Sequence, residues 1–281
     1  MNGAVSTAAA GVPAPADGAA SVIGPQEDQP AVELQAETLP ILYRDDFLVA
    51  VHKPSGLLVH RSVLDVHEER FAVQILRDQI GRHVHPVHRL DKGTSGVLLF
   101  ALDRETAALV SSAFERQAVC KTYLAVVRGH PPAEGVIDHP LTRRFDDAER
   151  RPETAADAPA QDAVTRFRRL AATELPYRVD RYPTSRYALV ELSPATGRRH
   201  QIRRHLKHIS HPIIGDATFG KGRHNRLFAQ LFGVSRLLLA CTRMQLEHPH
   251  TGEALDLHAP LAEDFAHVLD ALAWRDAAGG A

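Results

Sequence analysis

Apolar residues in this chain fall mostly in short runs of strand length, separated by polar turns, with fewer helical repeats between them. Phe47-Leu-Val-Ala-Val-His52 is one such run, closed by Lys53-Pro54-Ser55-Gly56 with Pro and Gly in turn positions. Phe71, Ile75 and Ile80 recur at helical spacing and predict a helix through Glu68–Gln79. Gly96–Leu102 reads as a buried strand. Asp103 follows as an N-cap for a helix over Arg104–Gln117, with Leu109, Val110, Ala113 and Phe114 along one side. Further strands are expected at Lys121–Val127, Val164–Leu170, Arg186–Leu192, Leu237–Leu246 and Ala254–His258, and helices at Arg198–Lys207 and Leu261–Ala273. Strands outnumber helices and rarely alternate with them. This argues for an α+β fold around a large mixed, mostly antiparallel sheet with flanking helices, not a doubly wound parallel one.

The first 35 or so residues break the pattern. They are rich in Ala, Gly, Pro and Ser, lack aromatic residues, and cannot bury enough apolar surface to offset their chain entropy. Residues 1–38 are therefore expected to be a disordered tail and 39–276 a single domain, with a charged, Pro/Ala-rich flexible insertion over 146–162. No apolar run approaches the roughly 20 residues of a membrane helix, and no signal peptide is visible at the N-terminus. Two isolated cysteines, Cys120 and Cys241, suit a reducing compartment. The expectation is a soluble, cytoplasmic chain.

Charge changes the picture more than composition does. The net charge is −1, yet residues 1–39 hold five acids and no Lys or Arg, so the remainder is basic. Arg198 to Arg226 alone carries eight Lys or Arg against one acid, Asp216, with four histidines between His200 and His211. Such a surface suits a polyanion as well as it suits a solvated helix face. Several chemistries fail on their motifs. Gly215-Asp-Ala-Thr-Phe-Gly220-Lys221-Gly222 nearly matches a phosphate-binding loop but has Gly where a magnesium-binding hydroxyl belongs. His205, His208 and His211 lie three apart without a nearby acid or cysteine, and neither HExxH nor CxxC occurs, so no metal site is expected. A GxSxG elbow is also missing.

The informative segment is His88-Arg89-Leu90-Asp91-Lys92-Gly93-Thr94-Ser95-Gly96, a polar loop feeding an apolar run. On spacing alone, Asp91 reads best as an ordinary turn former. The segment nevertheless resembles the signature of the RluA family of pseudouridine synthases, and the likeness continues in order along the chain. Lys53-Pro-Ser-Gly56 is similar to the family's first motif, Lys121-Thr-Tyr123 to the strand with its active-site tyrosine, and Thr196-Gly-Arg-Arg-His-Gln-Ile-Arg203 with His211-Pro-Ile-Ile-Gly-Asp216 to its last. Gly56–Ser62, Arg181–Tyr187 and Asn225–Ala229 resemble the family's tRNA-acting type, which implies a uridine at position 65 of tRNA as target.

The resemblance implies an RNA-binding cleft across the sheet and an isomerisation with no cofactor. Asp91 would be the catalytic carboxylate, as nucleophile at the sugar or as the base that starts glycal formation. Arg203 would hold its charge, and Tyr123 would lie against the base and take its C5 proton. Without the family, a strand tyrosine reads as core packing. Arg89 would fill the gap left by the flipped nucleotide and Ile202 would pack on the uracil, with Lys53, Arg198, His200 and Gln201 as further RNA contacts. The expected partner is tRNA, the expected state a monomer without a membrane or an obligate protein partner. Ribosomal RNA as substrate, a non-catalytic RNA-binding protein and a glycoside hydrolase remain as alternatives, the last needing a second carboxylate opposite Asp91.

Overall fold

A computed structural model describes residues 37–61, 68–142 and 159–279. The expected disordered tail, up to residue 36, and most of the expected insertion loop lie outside the described residues; Leu141 and Gln161, which flank the latter, exchange two backbone hydrogen bonds at 2.9 and 3.0 Å.

Ten strands form one sheet. In chain order they are β1 (Ile41–Arg44), β2 (Leu48–Lys53), β3 (His85–Pro86), β4 (Ser95–Ala101), β5 (Cys120–Arg128), β6 (Glu134–Asp138), β7 (Val164–Leu175), β8 (Ser185–Pro194), β9 (Leu239–Glu247) and β10 (Ala254–His258). The order across the sheet is β1-β2-β4-β9-β5-β8-β7-β6, with β3 on β4 and β10 on β9. Every pairing is antiparallel except β4 with β9, so the expected α+β class with a mostly antiparallel sheet is the one observed.

Side chains alternate across the central strands, as a period of two requires. Tyr123, Ala125 and Val127 of β5 join one core cluster with Ala188, Val190 and Leu192 of β8. Leu124 and Val126 join another with Tyr187 and Leu189. The first cluster takes buried residues from α1 (Ala72–Ile80), α2 (Arg104–Glu115) and α3 (Gln201–His208). The second takes them from α4 (Gly222–Phe232) and α5 (Glu263–Ala271), after which α6 (Arg275–Gly279) ends the described chain. At the β2–β4 end both faces are buried, which is why Val97–Leu102 is continuously apolar.

Asp103 caps α2 as expected, accepting from Thr106 N at 2.8 Å. Leu109 departs from expectation: it is 42% exposed, because only the Val110 side of that turn meets the sheet. The helix expected from Arg198 begins at Gln201 instead. His200 sits at φ 55°, outside helical space, and the Gln201 side chain accepts from Arg198 N at 2.9 Å, tying the preceding turn to the helix start.

The parallel pairing of β4 with β9 positions the candidate site residues. Gly96 faces Cys241, and Cys241 in turn faces Tyr123, so three adjacent strands bring the start of β4 level with the middle of the sheet. Gly96 has φ +110°, and a Cβ there would stand 2.0 Å from Cys241 O. Backbone passes backbone without room for a methyl group. Gly96→Ala is expected to cost at least about 3 kcal/mol, combining left-handed strain with displacement of β9. Urea unfolding checks it, and a loss below 1 kcal/mol would mean the strands separate freely.

Candidate active site

Asp91 occupies a turn closed by Thr94 N on Asp91 O at 3.0 Å, directly before β4. The Lys53–Gly56 turn grips that loop from below. Gly56 N donates to Lys92 O at 2.8 Å and Ser55 Oγ to Gly93 O at 2.7 Å. Lys53 itself is fully buried, and its ammonium donates to the carbonyls of Pro54, Leu57 and Lys92 at 2.8, 2.7 and 3.2 Å. Burial pulls its pKa down to about 7, helped by the charge of Arg236 and opposed by that of Asp91. The expected RNA contact at Lys53 is thus corrected: this amine braces the Asp91 loop from inside. Gln201 lines the cleft, yet it is 4% exposed and its amide donates inward to Val164 O and Thr165 Oγ1 at 3.0 Å each.

Arg203, on α3, reaches Asp91 with Nη1 at 3.1 Å from Oδ2. Its other two nitrogens engage Asp216, Nε at 2.7 Å from Oδ2 and Nη2 at 2.9 Å from Oδ1. The Asp216 side chain is wholly buried. Burial alone would raise its pKa, but hydrogen bonds from Arg203 and from Phe219 and Thr218 N, with the guanidinium charge, hold it below the usual carboxylate range. The near-match to a phosphate loop now has its explanation. Gly215 (φ +80°) lets the chain pass Arg236 O, and the loop wraps around the Asp216 carboxylate. Phe219 closes the arrangement, its ring centroid 5.0 Å from the guanidinium carbon. Asp216 ends the His211–Asp216 motif, and no local signal in the sequence ties it to Arg203, thirteen residues earlier.

Around this charged trio the groups are neutral. His200 lies with Nε2 3.8 Å from Asp91 Oδ1, too far for a hydrogen bond. Burial lowers its pKa, outweighing the pull of Asp91. His88 Nε2 accepts from Leu99 N at 2.9 Å, which requires neutral imidazole, and burial pushes its pKa to about 3. Tyr123 is 9% exposed, and burial, then Cys241, then Asp91 hold its phenol well above its ordinary pKa. The free site therefore presents a phenol with its proton on.

These groups line an open cleft of about 550 Å³, within the range of small-ligand sites. Asp91, Tyr123, Ile202, Arg203, Arg198 and His200 line it together, and exposed Arg89 stands at its edge. Among the described residues no cluster of three or more His, Cys, Asp or Glu is arranged to hold a metal ion, and no helix is long and apolar enough to cross a membrane.

A carboxylate held by a mostly buried arginine, beside a tyrosine and an aliphatic side chain in a cleft rimmed with cations, matches the class of enzyme the motifs resemble. The family model for RNA pseudouridylate synthase matches residues 47–208, and the chain belongs to that family. The tRNA pseudouridine synthase C of Pasteurella multocida (strain Pm70) is 48% identical over 237 residues, covering 84% of this chain and 97% of that protein. That of Vibrio cholerae serotype O1 is 47% identical over 238 residues, covering 85% and 97%. Two solved human structures share the fold. RNA Pseudouridylate Synthase Domain Containing 4 is 31% identical with TM-score 0.61, over 83% of this chain and 93% of that one. RNA Pseudouridylate Synthase Domain Containing 1 is 26% identical with TM-score 0.61, over 80% and 84%.

The Asp216 clamp carries a test with a defined sign. A carboxylate whose folded pKa is depressed contributes stability above its unfolded pKa of about 4, lost as pH falls through the folded value. Asp216→Asn is expected to cost roughly 3–5 kcal/mol at pH 7 by leaving Arg203 half-paired in the interior. The deficit should shrink below pH 4, where wild type loses the same charge. Equal deficits at pH 7 and pH 3 in urea titrations would show that shape, not charge, is what Asp216 supplies.

Proposed function

We propose that this chain isomerises one uridine of tRNA to pseudouridine, with position 65 as the target. The carrying observation is the Asp91 carboxylate hydrogen-bonded to Arg203, which buried Asp216 fixes from behind, at the floor of a cleft also lined by Tyr123 and Ile202. The names of the relatives above support tRNA as the substrate.

The reaction breaks the ribose C1′–N1 bond, turns the uracil, joins C1′ to C5, removes the C5 proton and leaves a proton on N1, so that product and substrate are isomers. It needs no redox partner. Both routes open to Asp91, attack at C1′ or removal of the 2′ proton, begin from the ionised form. A dry site disfavours that form unless an opposite charge is fixed nearby. Arg203 supplies it. Flipping the target out of its stack costs a few kcal/mol, and the exposed planar head of Arg89 is suited to fill the vacancy. Tyr123 offers a flat ring and an O–H. It can take the C5 proton only by passing its own proton on in the same step. The enzyme would act as a monomer in the cytoplasm, alongside its substrate.

Tritium release from tRNA labelled at uridine C5 tests this reading. Wild type is expected to release tritium from one position, mapped by carbodiimide-dependent primer extension, and Asp91→Asn to lose on the order of 10³-fold or more. Tyr123→Phe should form the new C–C bond and stall before release. Release from ribosomal RNA alone would keep the chemistry and replace the substrate. No release from either RNA, with tight binding to both, would overturn catalysis.

A further inference from the structure

Between β7 and β8 the chain makes a longer connection than a tight hairpin needs, and that connection is held from inside. Ser185 Oγ donates to Tyr177 O at 2.8 Å. Asp180 accepts from Arg128 Nη2 at 2.8 Å, and Arg128 Nε donates to Nε2 of His224, on α4, at 3.0 Å. The other ring nitrogen of His224 lies 2.8 Å from Tyr187 OH, with both residues buried. The same Nε2 lies 3.2 Å from Asp180 Oδ2, so the imidazole sits between Arg128, Asp180 and Tyr187. A chain of hydrogen bonds, buried at Tyr187 and His224 and exposed at Asp180, thus ties the connection to α4 and to the far end of β5.

What the chain of bonds holds outward has no matching charge. Arg178 and Arg181 are exposed and form no ion pair among the described residues. Tyr182 is 58% exposed, and the Arg181 guanidinium stacks 4.6 Å from its ring centroid. Lys221, Arg223 and Arg226, at the start of α4, are exposed and without ion pairs among the described residues. The nearest acid, Asp180, is already matched by Arg128. Lys221 is the N-cap of α4 and Arg223 lies in its first turn, where cations oppose the macrodipole, so these two do not serve the stability of α4.

We propose that this surface is a second contact for the same tRNA, separate from the cleft, in which the cations hold phosphates and the Arg181–Tyr182 pair stacks on a base or sugar. The inference rests on tRNA being the substrate. Geometry favours an extended partner. Tyr123 and Arg128 are five residues apart on β5, about 17 Å at strand rise, beyond the reach of the flipped nucleotide. The surface is nevertheless continuous with the cleft, since Lys221 follows two residues after Phe219, whose ring lies on Arg203. An acidic peptide would match the charge, but a stacked guanidinium and phenol are better suited to the flat faces of nucleotides.

The test combines Arg178→Ala, Arg181→Ala and Tyr182→Ala in the full chain, with tritium release measured on full-length tRNA and on a short stem-loop holding the target uridine. For full-length tRNA, KM is expected to rise roughly tenfold with kcat within twofold, and the salt dependence of log KM to flatten by about two phosphate contacts. The stem-loop, too short to span both surfaces, should show unchanged kcat and KM, and the thermal midpoint should not move. An unchanged KM on full-length tRNA would overturn the proposal and leave the surface to another polyanion. Equal losses on both substrates would also overturn it, by making the connection part of the cleft. A wild-type enzyme inactive on tRNA would remove the substrate assignment and this inference together.

Discussion

The guanidinium of Arg203 is shared by two carboxylates, and the geometry of the site depends on how unequally they hold it. Asp216 takes two of its nitrogens from a buried position where backbone N–H groups already fix its own oxygens. Asp91 takes the third from the wall of an open cleft. An arginine facing Asp91 alone would have rotamer freedom and could swing toward solvent. Clamped from behind and covered by Phe219, it offers one N–H in one direction. In the proposed reaction the working carboxylate is the one held by a single bond, which substrate can replace. The buried carboxylate does the orienting.

Other features serve the same end by keeping further charge away. His88 is neutral because it accepts from a strand N–H, His200 because it is buried, and Tyr123 because ionisation there is costly. A wall of neutral groups leaves the Asp91–Arg203 interaction little screened, and such interactions strengthen as water is excluded. Lys53 extends this logic below the floor. Its amine spends its hydrogen bonds on backbone carbonyls, one of them in the Asp91 turn, so a cation stiffens the loop without competing for the carboxylate.

Much of the fold was legible because the central strands β2, β4, β5 and β8 are bounded by turn chemistry and carry apolar runs buried on both faces. Asp103 marked the start of α2, and the strand Ala254–His258 was placed to the residue. The short strands β1 and β6 and the two-residue β3 carry too few residues for a period to register. Helix α4 opens on Gly-Arg-His-Asn without a side-chain cap, so its start was silent, although Leu227, Phe228 and Leu231 repeat at helical spacing inside it. Within the site, Asp91 and Arg203 were found through motif order, whereas their pairing with Asp216 is a tertiary fact. Lys53 was misassigned for a related reason: a lysine beside a turn is ordinarily exposed, and only the carbonyls folded over it reveal that it is interior.

The basic stretch from Arg198 to Arg226, which as sequence reads as one polyanion surface, divides in three dimensions into parts with different duties. Arg203 is spent inward on carboxylates, and Arg204 on Thr142 O at 3.0 Å. Arg198 and His200 line the cleft, while Lys221, Arg223 and Arg226 lie beyond Phe219 on the start of α4. A count of cations therefore overstates how many can meet phosphate in any one place. It also hides that Asp216, the single acid of that stretch, turns Arg203 away from binding and toward Asp91. Affinity for an RNA backbone needs cations that are free. The catalysis proposed for Asp91 needs one that is not.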